Sequence, residues 1–320
     1  RRQRQMCIRD RCDILYKQRL CNMKYLSVTE TAKRWNLSER SVRNYCAQGK
    51  IEGAFLTGKT WNIPEDAQKP DRVNKKVTEP VTLLDVLKAE KAAKLSGGIY
   101  HKIQIELTYN SNHIEGSRLT HDQTRDIFET NTIGLEGTAV KVDDIVETAN
   151  HFKCIDLVIE NAKRPITGAF IKGLHRTLKS GTTDARQEWF AVGDYKRRPN
   201  TVGDLETTQP EEVAVKMKKL LAEYNTKQEK SFDALLDFHY RFERIHPFQD
   251  GNGRIGRLLL FKDCLKYNIV PFIIGEDLKL FYYRGLKEWE NERGYLRDTC
   301  LAAQDQFKRY LDYFKIKYNI

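Results

Sequence analysis

Apolar residues recur at intervals of three and four along most of the chain after residue 80, which places them on one side of a helix. One helix is predicted to begin at Leu83 and to break at Gly97-Gly98, and others are predicted over 99–110 and 142–159. From Pro165 onward the helical pattern continues toward the end of the chain. The pattern therefore predicts a mainly α-helical protein.

A β-hairpin is predicted where this helical pattern is interrupted. The stretch from Trp189 to Val202 contains β-forming residues together with a glycine. Neither an internal repeat nor a low-complexity tract accompanies these elements. The predicted fold class is thus mainly α with one small hairpin, and a separate unit precedes it.

Residues 23–68 are predicted to fold as that separate small unit. Ser27 and Glu30 form a capping box at the start of a short helix, and Ser38 is placed to cap a second helix. Residues 51–64 then read as two short strands around a glycine-containing turn. The order of helix, turn, helix and wing resembles the winged helix-turn-helix units of excisionase and MerR-like DNA-binding proteins.

Four polar residues of this unit are candidate contacts to double-stranded DNA. Arg40, Arg43 and Asn44 lie on the second predicted helix, which is placed to read a major groove, and Lys59 on the wing is placed to contact a phosphate backbone. Residues 23–70 hold eight basic and five acidic side chains, so the attraction to phosphate is modest. A small helical adaptor that contacts no DNA is the alternative.

A polar stretch that contains Pro70 and Pro80 separates this unit from the rest of the chain and is predicted to be a linker. The predicted organisation is a non-native leader over 1–22, the helix-turn-helix unit over 23–68, the linker over 69–80, a helical region over 81–160 and a second helical region over 161–320.

The first 22 residues carry much of the positive charge. The chain of 320 residues has a formal net charge of +11, and residues 1–22 alone hold seven basic and two acidic side chains. Residues 6–11 look like a translated sequencing adapter and Met23 reads as a natural start, so this segment is interpreted as a non-native leader. A native basic arm for nucleic acid is the alternative. Without the leader the chain is mildly basic.

Composition and cysteine usage narrow the class of protein. Hydrophobic residues make up 40% of the chain and charged residues 31%, which is typical of a globular protein and not of a disordered one. No apolar run approaches the roughly 20 residues that span a bilayer, so no membrane partner is expected. Cys46, Cys154, Cys264 and Cys300 show no disulfide or metal-site spacing, and no signal peptide follows Met23, which together predict a cytoplasmic protein.

The most informative segment runs from His246 to Arg257 and reads HPFQDGNGRIGR. An apolar stripe upstream predicts a helix that Pro247 ends, and a second helix is predicted to begin near Arg254. The glycines within 251–253 permit positive φ and close approach of a ligand to the backbone. A glycine loop that opens into a helix N-terminus presents unpaired N–H groups, so the segment predicts an anion site suited to phosphate.

Charged side chains within the same segment add chemistry to that anion site. Arg254 and Arg257 stand three residues apart and project from one face of the predicted helix. Asp250 would repel phosphates unless a cation intervened, so it is predicted to be a Mg²⁺ ligand. His246 is largely neutral at cellular pH and is suited to act as a general base. Together these residues predict a nucleotide phosphotransfer site.

The segment matches every specified position of HPFx(D/E)GNGRxxR, the signature of the Fic family, whose members transfer AMP from ATP to protein hydroxyls. The resemblance extends over about 81–315 and implies a helical Fic core with a β-hairpin flap. It implies that His246 deprotonates a Ser, Thr or Tyr hydroxyl of a target protein that is not identified by the sequence. It also implies that Asp250 holds Mg²⁺ between the α- and β-phosphates of ATP.

The same resemblance assigns the phosphate contacts. The main chain around Gly251, Asn252 and Gly253, together with the Asn252 side chain, would cradle the phosphates. Arg254 and Arg257 would neutralise charge on the β- and γ-phosphates while pyrophosphate leaves.

A second match concerns regulation. Residues 111–116, from Ser111 through Glu115 to Gly116, fit the S/T-x-x-x-E-G/N inhibitory helix of Fic proteins. A carboxylate that reaches Arg257 would form an ion pair in the place of the γ-phosphate. Glu115 is therefore predicted to hold AMP transfer low. A solvated helix end that stops at Gly116 is the alternative.

Two further groups of site residues rest on the resemblance. Gly193, Tyr195 and Lys196 resemble the G-x-Tyr-Arg of the flap that aligns the target segment, although Lys196 replaces the commoner arginine. Tyr282 and Tyr283 follow the signature segment and are predicted to border the nucleotide base.

The favoured function is a protein adenylyltransferase that uses Mg²⁺ and ATP and is autoinhibited by Glu115, with self-modification as one outcome. The same glutamate could instead position water for removal of AMP, and another nucleotide could be the donor. A different class of function stays open as well, a DNA-binding regulator whose Fic part senses nucleotide or modifies the protein itself.

Overall fold

The computed structural model describes residues 24–70, 81–134, 139–203, 205–226 and 228–318. The predicted leader and most of the predicted linker lie outside these residues. The chain divides into two compact units, with the division between residues 78 and 79. No helix in the described ranges is both long and apolar enough to cross a membrane.

The first unit contains two helices and a three-stranded antiparallel sheet with strand order β1-β3-β2. Its elements are β1 (Tyr25–Leu26), α1 (Val28–Trp35), α2 (Glu39–Ala47), β2 (Phe55–Thr57) and β3 (Thr60–Pro64).

The predicted capping box of this unit is confirmed. The Glu30 carboxylate accepts a hydrogen bond from the Ser27 backbone N–H at 2.8 Å, and the Ser27 hydroxyl accepts from the Glu30 N–H. The Ser38 hydroxyl caps α2 in the predicted way by accepting from the Ser41 N–H. Trp35 and Val42 are buried between the helices and the sheet.

The second unit is mainly helical, as predicted. Its helices are α3 (Leu83–Ala93), α4 (Ile99–Ile114), α5 (His121–Thr130), α6 (Val142–Glu160), α7 (Gly168–Lys179), α8 (Pro210–Asn225), α9 (Phe232–Ile245), α10 (Asn252–Lys266), α11 (Lys279–Glu288) and α12 (Gly294–Tyr313), and its strands are β4 (Thr201–Val202) and β5 (Leu205–Glu206).

Helix α10 is the centre of this unit. Almost every residue from Asn252 to Leu265 is buried, because α3, α4, α6, α7 and α9 all pack against this helix. A helix that is covered on all sides shows no amphipathic pattern, and its charged side chains must find partners inside the protein. The polar residues at the start of α10 are therefore held by neighbouring helices.

The position of the predicted hairpin was wrong. Its strands are Thr201–Val202 and Leu205–Glu206, whereas residues 187–194 form consecutive turns. The aromatic residues that suggested strands pack instead as individual rings, Phe190 against His175 and Trp189 beneath Arg198. Helix α5 was not predicted, and α4 continues beyond the predicted end at residue 110 to Ile114.

The four cysteines outside the predicted leader are buried thiols that form no disulfide among the described residues. This arrangement agrees with the expectation of structural thiols.

Candidate active site

The loop between α9 and α10 is shaped by its own side chains. His246 follows the last residue of α9 and adopts a left-handed conformation with φ 51° before Pro247, and Gly251 directly precedes α10 with φ 83°. The Asn252 amide closes the loop, since its Oδ1 accepts from the Phe248 N–H and its Nδ2 donates to the Phe248 carbonyl, both at 2.8 Å.

Asn252 thus helps to shape the loop. Its side chain is buried, and its Oδ1 and one N–H of its Nδ2 are bonded within the loop. Its predicted contact with phosphate stays a prediction, and Asn252 also has its backbone N–H at the start of α10. That helix end has no side-chain cap among the described residues, so its first amides and its positive dipole end are directed at the loop.

A buried histidine packs against the loop. The ring of His175 on α7 stacks on Phe248 with centroids 4.0 Å apart. Its Nδ1 accepts from the Gly193 N–H at 2.9 Å, so the proton lies on Nε2, which is 3.2 Å from the Asp250 carbonyl. Burial lowers the pKa of His175 to about 4, which keeps this ring neutral at cellular pH.

The Glu115 carboxylate lies on the predicted anion site. Arg257 donates from its guanidinium to Glu115 Oε1 at 2.7 Å and to the hydroxyl and the carbonyl of Ser111 at 3.0 and 2.9 Å. A Cβ placed on Gly253 would clash with the same Oε1 of Glu115, so glycine is needed for this approach. Burial opposes the charge of Arg257, but Glu115 together with Tyr282 and Glu243 outweighs it and raises the pKa of the arginine.

Arg254 is held by a second set of carboxylates. It donates to Asp250 Oδ2 at 3.0 Å and forms an ion pair with Glu147 on α6. Lys179, at the end of α7, lies 2.6 Å from the same Asp250 oxygen and also contacts Glu147. Burial would raise the pKa of Asp250, but the two cations outweigh it and hold the pKa well below its usual range.

Asp250 is a suitable single ligand for Mg²⁺. Its side chain is 46% exposed, although Oδ2 contacts two cations. No group of three or more His, Cys, Asp or Glu side chains suited to a metal occurs in the described ranges. Mg²⁺ commonly uses one or two carboxylates together with substrate phosphates and water, so this donor set fits a metal that arrives with a triphosphate.

His246 is placed beside this loop with the protonation state of a base. Burial lowers its pKa to about 4, and the neighbouring charge of Lys196 acts in the same direction. Its Nδ1 is buried without a hydrogen-bond partner in the described part of the chain. The imidazole is therefore neutral near pH 7.

A cavity of about 400 Å³ adjoins the hairpin and helices α9 and α11. Tyr283 lines it, whereas Tyr282 is almost fully buried and its hydroxyl contacts His239 Nε2 at 2.6 Å. Of the two tyrosines predicted beside the base, Tyr283 faces this cavity and Tyr282 is part of the core.

The residues predicted in the flap lie before its strands. Lys196 is buried, and its Nζ donates to Asn200 Oδ1 and Thr207 Oγ1, both at 2.6 Å, across the base of the hairpin. Gly193 lies against Arg176, and Tyr195 is half-buried beneath Lys172. Lys196 thus supports the hairpin, none of the three residues belongs to its strands, and their role in target docking stays a prediction.

Three site residues were missed by sequence reasoning, namely Glu147, Lys179 and Glu243. Glu243 lies one turn before His246, and its Oε1 is buried without a hydrogen-bond partner in the described part of the chain. Burial raises the pKa of this carboxyl to about 8, against the opposing charge of Arg257. All three are isolated charges in ordinary helical patterns, so nothing in the linear sequence separates them from surface residues.

In the first unit, the candidate DNA contacts are all exposed: Arg40, Arg43, Asn44 and Lys59. Arg43 forms an ion pair with Glu39 at 3.4 Å on the same helix.

The sequence profile of the Fic/DOC family matches residues 165–262, which include the whole loop from His246 to Arg257. These residues are similar to a Fic domain. The protein adenylyltransferase Fic of Aedes aegypti is 28% identical over 253 residues, which are 78% of this chain and 48% of that protein. The protein adenylyltransferase Fic of Drosophila mojavensis is 30% identical over 189 residues, 56% of this chain and 35% of that protein.

Solved structures support the Fic fold. The crystal structure of a Fic-domain-containing signalling protein from Bacteroides thetaiotaomicron is similar with a TM-score of 0.54 and 28% identity, covering 72% of this chain and 90% of that one. The chain spans about half or less of the length of the curated relatives named above. The predicted Fic core is thus confirmed as a fold.

Proposed function

We propose that the Fic domain transfers AMP from ATP to a Ser, Thr or Tyr hydroxyl of a protein. The observation that carries this proposal is the anion site itself. A carboxylate already lies at the α10 N-terminus, against Gly253 and bonded to Arg257. A site that holds one anion on a buried arginine, beside the N-terminus of a helix, is suited to a phosphate. The similarity to adenylyltransferases supports AMP as the transferred group.

In this reaction His246 takes the proton of the attacking hydroxyl. The hydroxyl oxygen bonds to the α-phosphorus, the bond from that phosphorus to the bridging oxygen breaks, and pyrophosphate leaves with the bonding electrons. His246 suits this role because it is neutral and lies directly before the anion loop. Arg254 and Arg257 stabilise the negative charge that develops on the phosphates.

Asp250 would hold Mg²⁺ when the nucleotide is present. The metal would supply charge neutralisation for the phosphates. The Asp250 carboxylate contacts Lys179 and Arg254 through Oδ2.

Glu115 would hold this activity low. Its carboxylate pairs with Arg257 in the position that a terminal phosphate needs, so a bound ATP would lie with its α-phosphorus misaligned. Glu115 follows the last residue of α4 and precedes Gly116, which has φ 94°. A carboxylate at a helix end can leave more readily than one in mid-helix, which supports a regulatory part for this contact.

The transfer assay tests the function directly. Wild type, Glu115→Gly and Glu115→Gly/His246→Ala are incubated with α-labelled ATP, Mg²⁺ and cell lysate, and labelled bands are identified by mass spectrometry. We expect label on a protein, including the chain itself, with Glu115→Gly, weak label with wild type and none with the double variant. Equal labelling by wild type and Glu115→Gly would contradict autoinhibition. Loss of label from modified bands on adding wild type would indicate AMP removal instead.

A second candidate function belongs to the first unit, which we propose binds double-stranded DNA. Arg40 and Asn44 are exposed on α2, and Lys59 is exposed in the turn between β2 and β3. An exposed second helix followed by a hairpin is the arrangement that places side chains in a major groove. Fluorescence anisotropy with a DNA duplex tests this. Arg40→Ala should weaken binding about 10-fold and Lys24→Ala, at an exposed position just before β1, should not.

The buried thiols support a reducing compartment such as the cytoplasm. This location agrees with a supply of ATP.

A further inference from the structure

Two charged residues beside the candidate metal ligand, Glu147 and Lys179, have no part in the proposed chemistry. Glu147 on α6 contacts both Lys179 and Arg254, and each of these cations contacts Asp250 Oδ2. The side chains of Lys179 and Arg254 are 2% and 5% exposed, and that of Glu147 is 13% exposed. Two buried cations are thus shared between two carboxylates.

Helix α6 is fixed to the segment that carries Lys179 by further bonds. Thr183 donates to Asp143 Oδ1 from its N–H at 2.9 Å, one turn before Glu147. Asn150 donates to the carbonyls of Leu178 and Ser180 at 3.1 and 2.7 Å. Asp143, Glu147 and Asn150 lie on one face of the helix, so Glu147 is held in mid-helix between two anchored turns.

The charge balance at Asp250 depends on Glu147. With Glu147 present, the two buried cations face two carboxylates inside the cluster, and the half-exposed Asp184 lies 3.2 Å from Lys179. Without Glu147, both cations would act on Asp250 and Asp184 alone. A divalent cation that approaches Asp250 would then be repelled by two neighbouring cations whose positive charge is no longer balanced.

We propose that Glu147 is a positioning residue that neutralises Lys179 and Arg254 and thereby leaves Asp250 able to accept a divalent cation together with a triphosphate. This inference rests on the proposed function. It differs from a second inhibitory contact, because an inhibitory carboxylate on Arg254 would compete with the phosphates and its removal would tighten nucleotide binding with Mg²⁺ present.

The test is calorimetric binding of α,β-methylene-ATP, whose α–β bridge cannot be cleaved, to the full chain carrying Glu115→Gly. The dissociation constant is measured once with Mg²⁺ and once with EDTA. The ratio of the EDTA value to the Mg²⁺ value gives the gain in affinity that the metal provides. Adding Glu147→Gln should reduce this gain about 10-fold, as expected for a partner that supports a metal ligand. Glu160→Gln, an ion-paired glutamate on the same helix, should leave the gain unchanged.

A rescue separates charge balance from structural damage. Adding Lys179→Met to Glu147→Gln removes the excess positive charge, so the gain from Mg²⁺ should return to within about 3-fold of the Glu115→Gly value. A damaged fold would not recover in this way. If Glu147→Gln alone does not fold, the same ratio is measured on the double variant.

The two proposals fail differently. Absence of nucleotide binding by Glu115→Gly itself would overturn the proposed function. If Glu115→Gly binds normally, three results would overturn the role of Glu147. They are an unchanged gain from Mg²⁺ in Glu147→Gln, tighter binding of that variant with Mg²⁺, and a gain that stays about 10-fold low in the double variant.

Discussion

The two arginines at the start of α10 are held by carboxylates of different kinds. Arg257 is bonded to Glu115, which is 27% exposed and follows the end of a helix before a glycine. Arg254 is bonded to Glu147, which is 13% exposed and lies in the middle of α6 between anchored turns. Similar ion pairs therefore occur at a helix end and within a helix.

This difference separates a contact that is suited to regulation from a contact that is suited to stabilising the structure. The Glu115 pair can open without disturbing a helix interior, since what moves is a helix end. The Glu147 pair cannot open without leaving two buried cations short of one carboxylate partner, which is costly. Under the proposed function, the backbone that carries each carboxylate would decide whether its contact with an arginine is inhibitory or structural.

Removing each arginine is expected to give the largest effects. In the Glu115→Gly chain, Arg254→Ala and Arg257→Ala should each lower AMP transfer about 10²- to 10³-fold, because both stabilise phosphate charge. Rates from α-labelled ATP check this. Arg254→Ala should also lower the melting temperature, since it leaves Glu147 with a single cation, and equal melting temperatures for the two variants would contradict the comparison.

Opening the pair of Glu115 and Arg257 should raise the rate of AMP transfer. Glu115→Gly is expected to increase transfer about 10- to 100-fold, within the usual range of a regulatory coupling between two states. The measurement is the initial rate of labelling, including self-labelling, at equal protein concentration. An unchanged rate would show that the Glu115 contact is not inhibitory.

Neutralising each carboxylate should affect stability unequally. Glu147→Gln should lower the free energy of unfolding by about 3 kcal/mol, because it breaks a buried ion pair. Glu115→Gln should cost about 1 kcal/mol, since Ser111 still accepts hydrogen bonds from Arg257. Urea denaturation of the two variants checks the order, and a larger loss for Glu115→Gln would reverse the comparison.

Lowering the pH should give the smallest change in the rate of AMP transfer, and both arginines stay charged. Because burial lowers the pKa of His246 to about 4, the base stays unprotonated as the pH falls from 7 to 5. Transfer by Glu115→Gly should therefore be almost constant over that range and should fall as the pH drops through about 4. Loss of half the rate near pH 6.5 would show that His246 has an unperturbed pKa.

Sequence reasoning predicted the parts of the site that are local in the chain. The loop from His246 to Arg257 carries its own turn and helix start, and Glu115 could be matched by a short pattern. The capping box at Ser27 is equally local. These features depend on neighbours within a few residues, so one sequence suffices for them.

The parts that were missed depend on contacts between distant segments. Glu147 and Lys179 meet Arg254 only because α6 and α7 pack on α10. Asn252 could not be recognised as the residue that closes the loop, because the same side chain also suits phosphate. The hairpin was misplaced because Phe190 packs on His175 in the core and not in a strand.

The most direct test of the whole account is calorimetry of the Glu115→Gly chain with α,β-methylene-ATP and Mg²⁺. We predict saturable binding at one site per chain that weakens markedly when Arg257→Ala is added. An absence of measurable binding, or binding that is the same with and without Arg257, would contradict the placement of the triphosphate at the start of α10.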